Sequence, residues 1–133
     1  MNNILLLAGL LTFLVFLGYW QKLRHGKFVR VNGVTISALE LDQKLGKKAT
    51  IVQFSTTFCS ECRTAKAIVK DVMKDYKDIS YIEVDAECNL DLVRRVDIRS
   101  TPTTIFLDSK GFEIARAKGA PKRDQLIKAI KAI

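Results

Sequence analysis

The stretch ATIVQFSTTFCSECRTAK, residues 49–66, constrains the fold more than any other part of the chain. Its first seven residues are rich in β-branched side chains and show no polar alternation, which suits a buried parallel strand. Two cysteines follow at once, Cys59 and Cys62, flanking Ser60 and Glu61. A helix is expected beyond them, over about 60–77. Cys62, Ala65, Val69, Val72, Met73 and Tyr76 fall on one face of that helix, and Arg63, Lys66, Lys70 and Lys74 mark the other. The basic stripe is interleaved with Asp71 and Asp75 and reads as a solvated face. Cysteines placed between a buried strand and a helix start have a physical consequence. Unpaired N–H groups and the helix dipole favour an anion in the first turn. A thiol there falls below its free pKa of about 8.5. The three-residue spacing puts Cys62 within reach of Cys59 for an internal disulfide. Cys59 is expected to be the exposed nucleophile and Cys62 the thiol tucked beneath it.

The remaining pattern extends this unit into an α/β order. KFVRVNGVTI suggests a short edge strand, and SALE a capping box, with Ser37 as N-cap and Glu40 three residues on, opening a helix that ends near Gly46. ISYIEVD (79–85) reads as a strand and NLDLVRRV (89–96) as a short helix. TTIFLD (103–108), a turn at Asp108–Gly111 and FEIARAKG (112–119) read as a hairpin. KRDQLIKAI (122–130) closes the chain with an amphipathic helix whose Leu126, Ile127 and Ile130 face inward. The expected order is β-α-β-α-β-α-β-β-α.

Ahead of this domain runs ILLLAGLLTFLVFLGYW, 17 residues from Ile4 to Trp20 with no charge. At about 1.5 Å per residue this run is near the lower limit for crossing a bilayer, and Tyr19 and Trp20 close it as interfacial aromatics do. Asn2 and Asn3 are not a basic leader, Gly18-Tyr19-Trp20-Gln21 is a poor cleavage site, and no lipidatable cysteine follows. An uncleaved anchor is expected. Of the 22 Lys and Arg residues in this +8 chain, Lys22, Arg24, Lys27 and Arg30 precede Glu40, which is the first of the 14 acidic residues. These four flank the apolar run on its C-terminal side, so the positive-inside rule places the domain in the cytoplasm. The rest of the charge is nearly balanced. No basic face interleaved with aromatics argues for nucleic acid.

Three cysteines and one histidine bound the metal question. A tetrahedral zinc site would need Cys59, Cys62, Cys88 and His25, and His25 lies beside the apolar segment. A structural disulfide between Cys59 and Cys62 would close almost no loop and stabilise little, and a cytoplasmic domain rarely keeps one. Redox chemistry is therefore the expected use of the pair. Cys88, after DAE, is expected as a small, partly buried side chain, with a regulatory thiol as the sharper alternative. His25 belongs to the basic flank, and Thr56 and Thr57 to a loop. Pro102 directly precedes a strand, where a proline can simply start it. If the Thr101–Pro102 bond is cis, the Thr101 backbone would sit beside the cysteines and pair with an incoming peptide.

Residues from about 37 to 133 resemble the thioredoxin family, about three-quarters of the chain with its motifs in order. The resemblance rests on IVQFSTTFCSECR, YIEVD, STPTTIFLDSKGFEIARAKGA and GAPKRDQLIKAI. With the apolar segment, EVDAE and LDLVRR, the chain is most similar to small membrane-tethered thioredoxin-like proteins of actinobacteria. The resemblance implies a thioredoxin fold, a central mixed sheet with flanking helices, after one N-terminal transmembrane helix. It implies that Cys59 attacks, Cys62 resolves, Pro102 is the cis-proline, and Gly119 lies near the peptide groove with Phe58 and Thr101. Three departures bear on its tuning. Phe58 stands where a tryptophan is usual, and Ser60-Glu61 replaces Gly-Pro. Gln53 takes the place of a buried aspartate, and Tyr81 that of its lysine partner. Slower resolution at neutral pH is expected unless water or Glu61 substitutes. Glu61 would either oppose the Cys59 thiolate and make the couple more reducing, or point to solvent and support the helix start.

The expected organisation is an anchor over 1–22, a basic linker over 23–36 and a thioredoxin-like domain over 37–133. The expected function is a thiol–disulfide oxidoreductase, a reductase of protein disulfides. It needs no cofactor beyond Cys59–Cys62, and an external dithiol or reductase resets it. Two alternatives stay open: an extracytoplasmic exchange protein serving oxidative folding or cytochrome c maturation, and a non-catalytic binding or metal-carrying module.

Overall fold

The computed structural model describes residues 1–24, 28–29 and 33–133. Strand β2 (Ala49–Ser55) lies at the centre of the sheet and every one of its residues is buried, as its unbroken apolar run requires. It pairs in parallel with β3 (Ile79–Asp85), Gln53 opposite Glu83, and antiparallel with β4 (Thr103–Asp108), Gln53 opposite Thr104. Strand β4 pairs antiparallel with β5 (Glu113–Lys118) through the expected hairpin. Asp108 builds the turn: its Oδ1 accepts the N–H groups of Lys110 and Phe112 at 2.8 and 2.9 Å. Gly111 takes φ +87°, and a Cβ there would run into the Ile36 carbonyl.

The expected first strand joins the far edge of this hairpin. Strand β1 (Phe28–Val29) pairs antiparallel with β5, and Thr35 forms a further bridge to Phe112. Among the described residues, five strands run in the order β1-β5-β4-β2-β3. Residues expected as linker thus contribute backbone pairs to the sheet. His25, Lys27 and Arg30, part of the expected basic flank, lie outside the described residues, as does the Arg24 side chain.

Helix α1 (Asn2–Arg24) has 23 residues and is long and apolar enough to cross a membrane over Asn2–Lys22. The Thr12 hydroxyl donates to the carbonyls of Ala8 and Gly9, so this polar side chain in the middle of the apolar run is satisfied inside the helix. Helix α2 (Ala38–Leu41) opens with the expected capping box, Ser37 N donating to Glu40 Oε2 at 2.8 Å. It is shorter than expected, because Asp42 turns left-handed at φ 50° and ends it well before Gly46. Helix α3 (Ser60–Met73) also ends early: Asp75 and Tyr76 donate to carbonyls three residues back, and that tightened turn leaves the helix. Helices α4 (Leu90–Arg95) and α5 (Arg123–Lys131) fall where expected.

The alternation of each strand divides the core into two layers. Val52, Phe54, Ile82, Val84, Ile105 and Leu107 form one with Leu41, Leu92 and Val96, the α2 and α4 side. Ala49, Ile51, Ile79 and Phe106 form the other with Val69, Val72, Leu126 and Ile130, the α3 and α5 side. Met73, Tyr76 and Ile127, expected to face inward, are half-buried against this second layer. Gln53 shares the face of β2 that carries Ile51, so it points under α3, where the cysteines are.

Candidate active site

Strand β2 ends at Ser55 and helix α3 begins at Ser60, so the two cysteines sit at the carboxyl end of the central strand. Cys59 is the N-cap of α3, and its Sγ accepts the backbone N–H of Cys62 at 3.1 Å. A sulfur in that place receives an orphan donor of the first helical turn, which favours its thiolate once reduced. Cys59 and Cys62 form a disulfide with Cα atoms 5.2 Å apart. Cys62 is 3% exposed while Cys59 is half-buried, so only the outer sulfur is open to attack. Ser60 and Glu61 are exposed in the first turn.

Gln53 is fully buried under this turn. Its Nε2 donates to the Cys62 carbonyl oxygen at 3.1 Å, and its Oε1 accepts the Tyr81 hydroxyl at 3.1 Å. The two positions that depart from the family pattern are therefore partners. They form a neutral amide–phenol pair that grips the backbone of the inner cysteine. Burial first, and then the Glu83 charge, hold the Tyr81 phenol protonated well above its ordinary value.

The loop before β4 forms the opposite wall. The Thr101–Pro102 peptide is cis, and Pro102 is buried. Gly119 donates its N–H to the Pro102 carbonyl at 2.8 Å with φ +80°, a conformation glycine adopts without strain. Thr56 and Thr101 touch through their hydroxyls at 3.4 Å, which ties the loop before Cys59 to the proline loop. Phe58 is 98% exposed beside Cys59. An apolar ring that open, next to a reactive sulfur, is a ready contact for a partner chain.

Sequence reasoning missed a second cluster. An open cleft of ≈ 420 Å³ is lined by Cys59, Cys62, Lys66, Glu83 and Asp85 among others. Ser55 Oγ donates to Glu83 Oε1 at 3.0 Å, and Lys66 forms an ion pair with the same carboxylate. Lys66 was expected on a solvated face. The signal available was its place four residues after Cys62, one helical turn along the same side. Thr56, expected only as a loop residue, also carries the contact to Thr101.

Cys88 corrects an expectation. It is exposed, because Ala86 takes the inward place before α4. Its thiol donates to Asp85 Oδ2 at 3.5 Å, and that bond, with the Asp85 and Glu87 charges, holds its pKa above the ordinary value. The thiol form is favoured there, which makes a poor nucleophile. Among the described residues, no group of three or more His, Cys, Asp and Glu side chains converges on one point. His25, the fourth ligand a zinc site would need, lies outside them.

These features match known proteins. The family model described as Thioredoxin covers residues 33–132. Thioredoxin H5 of Oryza sativa subsp. japonica is 32% identical over 77 residues, covering 58% of this chain and 56% of that protein. Thioredoxin of Mycoplasmoides gallisepticum is 31% identical over 86 residues, covering 64% of this chain and 86% of that protein. The crystal structure of thioredoxin NaTrxh from Nicotiana alata superposes with a TM-score of 0.59 at 27% identity, over 65% of this chain and 73% of that one. By fold, by the disulfide at the start of α3 and by these likenesses, the chain belongs to the thioredoxin family, as a thiol–disulfide oxidoreductase with a Cys59–Cys62 disulfide.

Proposed function

We propose that the chain is a membrane-anchored reductase of protein disulfides. The observation that carries this reading is the N-cap position of Cys59, whose sulfur receives the Cys62 N–H at 3.1 Å. The reduced protein attacks with the Cys59 thiolate. One sulfur of the substrate disulfide bonds to Cys59, and the other leaves with the electron pair. The Cys62 thiol gives its proton to solvent, and its thiolate attacks Cys59 Sγ. The mixed disulfide breaks, the second substrate sulfur leaves as thiolate, and Cys59–Cys62 is oxidised. The substrate gains the two electrons that the dithiol loses, and an external dithiol or reductase returns them. Phe58, Thr101, Pro102 and Gly119 hold the incoming chain. Gln53, Ser60 and Glu61 set the tuning of the couple.

The anchor is residues 1–22, a basic segment follows it, and the domain, with β1 (Phe28–Val29) already paired to its sheet, runs on to 133. The candidate span Asn2–Lys22 within α1 supports the anchor, and the basic flank supports a cytoplasmic domain. A substrate trap tests the chemistry. In full-length chain carrying Cys88→Ser, Cys62→Ser should accumulate a mixed disulfide through Cys59, and Cys59→Ser should form none. Equal trapping by both variants contradicts the assignment of roles. With Cys59 and Cys62 both changed to Ser, exposed Cys88 reports the side of the membrane, labelled at a pH high enough to ionise its thiol. A membrane-impermeant maleimide should label it only after cells are opened, and labelling in intact cells would reverse the orientation.

A further inference from the structure

The second half of this cycle needs the proton removed from Cys62, and the pair beneath the cysteines is unsuited to help. Gln53 is a neutral amide that donates to the Cys62 carbonyl, and Tyr81 commits its proton to Gln53. Neither presents a base or a positive charge to the buried sulfur. The charged groups that share a cleft with Cys62 come from two elements. Helix α3 supplies Arg63 and Lys66, and β3 supplies Glu83 and Asp85. The rest of the lining is uncharged apart from the cysteines themselves: Ser55 from β2, and Thr56 and Thr57 from the loop before Cys59.

These four groups are not equivalent. Asp85 is committed elsewhere, to the Glu87 N–H at 2.8 Å and to the Cys88 thiol. Arg63 directly follows Cys62, and neighbouring helical positions do not face one another. Lys66 is one turn on from Cys62, at a spacing that sets Cβ atoms about 5–6 Å apart. Its ammonium is drawn toward the sheet by Glu83, and Glu83 is itself held by Ser55 Oγ at 3.0 Å. The Lys66 and Glu83 side chains are 40% and 32% exposed, so the pair forms a partly sheltered wall of the cleft that holds Cys62.

We propose that the Lys66 ammonium, held over the cleft by Glu83 and Ser55, is the charge that favours the Cys62 thiolate, and that Glu83 moderates it. The inference rests on Cys62 being the resolving thiol. Lys66 acts through Cys62 and takes no proton itself. A fixed cation thus replaces the buried acid that the family pattern would have put at Gln53. The proton goes to solvent in the open cleft.

The test uses full-length chain in detergent micelles carrying Cys59→Ser and Cys88→Ser, in which Cys62 is the sole thiol. Its rate of alkylation by iodoacetamide is followed against pH by mass spectrometry. Lys66→Met should raise the midpoint by about half a pH unit or more. Glu83→Gln should lower it, since an anion near the thiolate is removed. Lys66→Arg, which keeps the charge, should stay close to the parent. An unmoved midpoint in Lys66→Met, or a shift of the same sign in Lys66→Met and Glu83→Gln, would overturn the proposal. The titration reads the thiol whether or not the chain turns over a substrate. A failure here is therefore separate from a failure of the reductase reading, which the substrate trap reports.

Discussion

Gln53 Nε2 donates to the carbonyl oxygen of Cys62 at 3.1 Å, so the central strand grips the backbone of the inner cysteine rather than its sulfur. The bond is buried, and the Tyr81 hydroxyl completes it from β3. Gln53→Met keeps the volume but removes the side-chain donor to the Cys62 carbonyl and strands the half-buried Tyr81 phenol. It should cost about 1–3 kcal/mol of stability, read by urea unfolding followed by circular dichroism. An unchanged midpoint would mean that the amide holds nothing.

Glu83 gives a pH dependence with a definite sign. Burial raises its pKa, but the Lys66 ammonium and the Ser55 hydroxyl outweigh that and bring it below its ordinary 4.5. A carboxyl lowered on folding adds stability above its unfolded pKa, and that stability is lost as pH falls through the folded value. Wild type should therefore lose more Tm than Glu83→Gln between about pH 6 and pH 3. A Tm difference that stays constant across that range would contradict the ion pair's role.

Arg116 on β5 joins the sheet to the approach of the proline loop. Its guanidinium bonds both oxygens of Glu113, at 2.6 and 2.8 Å, and the Asp97 carbonyl at 3.3 Å. Glu113 has no exposed side-chain surface and also accepts the Val34 N–H. Arg116→Met should cost about 3–5 kcal/mol by leaving that carboxylate unpaired. Adding Glu113→Gln should recover part of the loss. A double variant less stable than Arg116→Met would show that the charge pairing is not what matters.

Phe58 separates binding from stability. At 98% exposure its ring contributes little to the folded state, and Phe58→Ala should leave stability within about 0.5 kcal/mol. If the ring anchors substrate, KM for a protein disulfide should rise about tenfold with kcat unchanged. A normal KM removes Phe58 from the groove.

The strand, the cysteine pair and the following helix were legible because local rules agree there: an unbroken β-branched run, a helix start and a 3.6-residue apolar stripe. The Ser37–Glu40 box and the Asp108 turn were legible for the same reason, since each is closed by residues a few positions apart. The rest depended on tertiary contacts. Residues 28–36 carry an edge-strand pattern, but nothing in it names β5 as the partner. Periodicity put Lys66 on the solvated face, because it cannot register a long side chain folding back toward a carboxylate on β3. Cys88 reads as partly buried from its residue type, but Ala86 two positions before it takes the inward place and leaves it exposed. The departure at Gln53 and Tyr81 was visible in the sequence, but their pairing across two strands was not.

The most direct test of the central claim is reduction of insulin disulfides by the full-length chain in micelles, with dithiothreitol as donor. The account predicts that wild type accelerates precipitation of the insulin B chain, while Cys59→Ser is no faster than dithiothreitol alone. Equal rates for wild type and Cys59→Ser would contradict it.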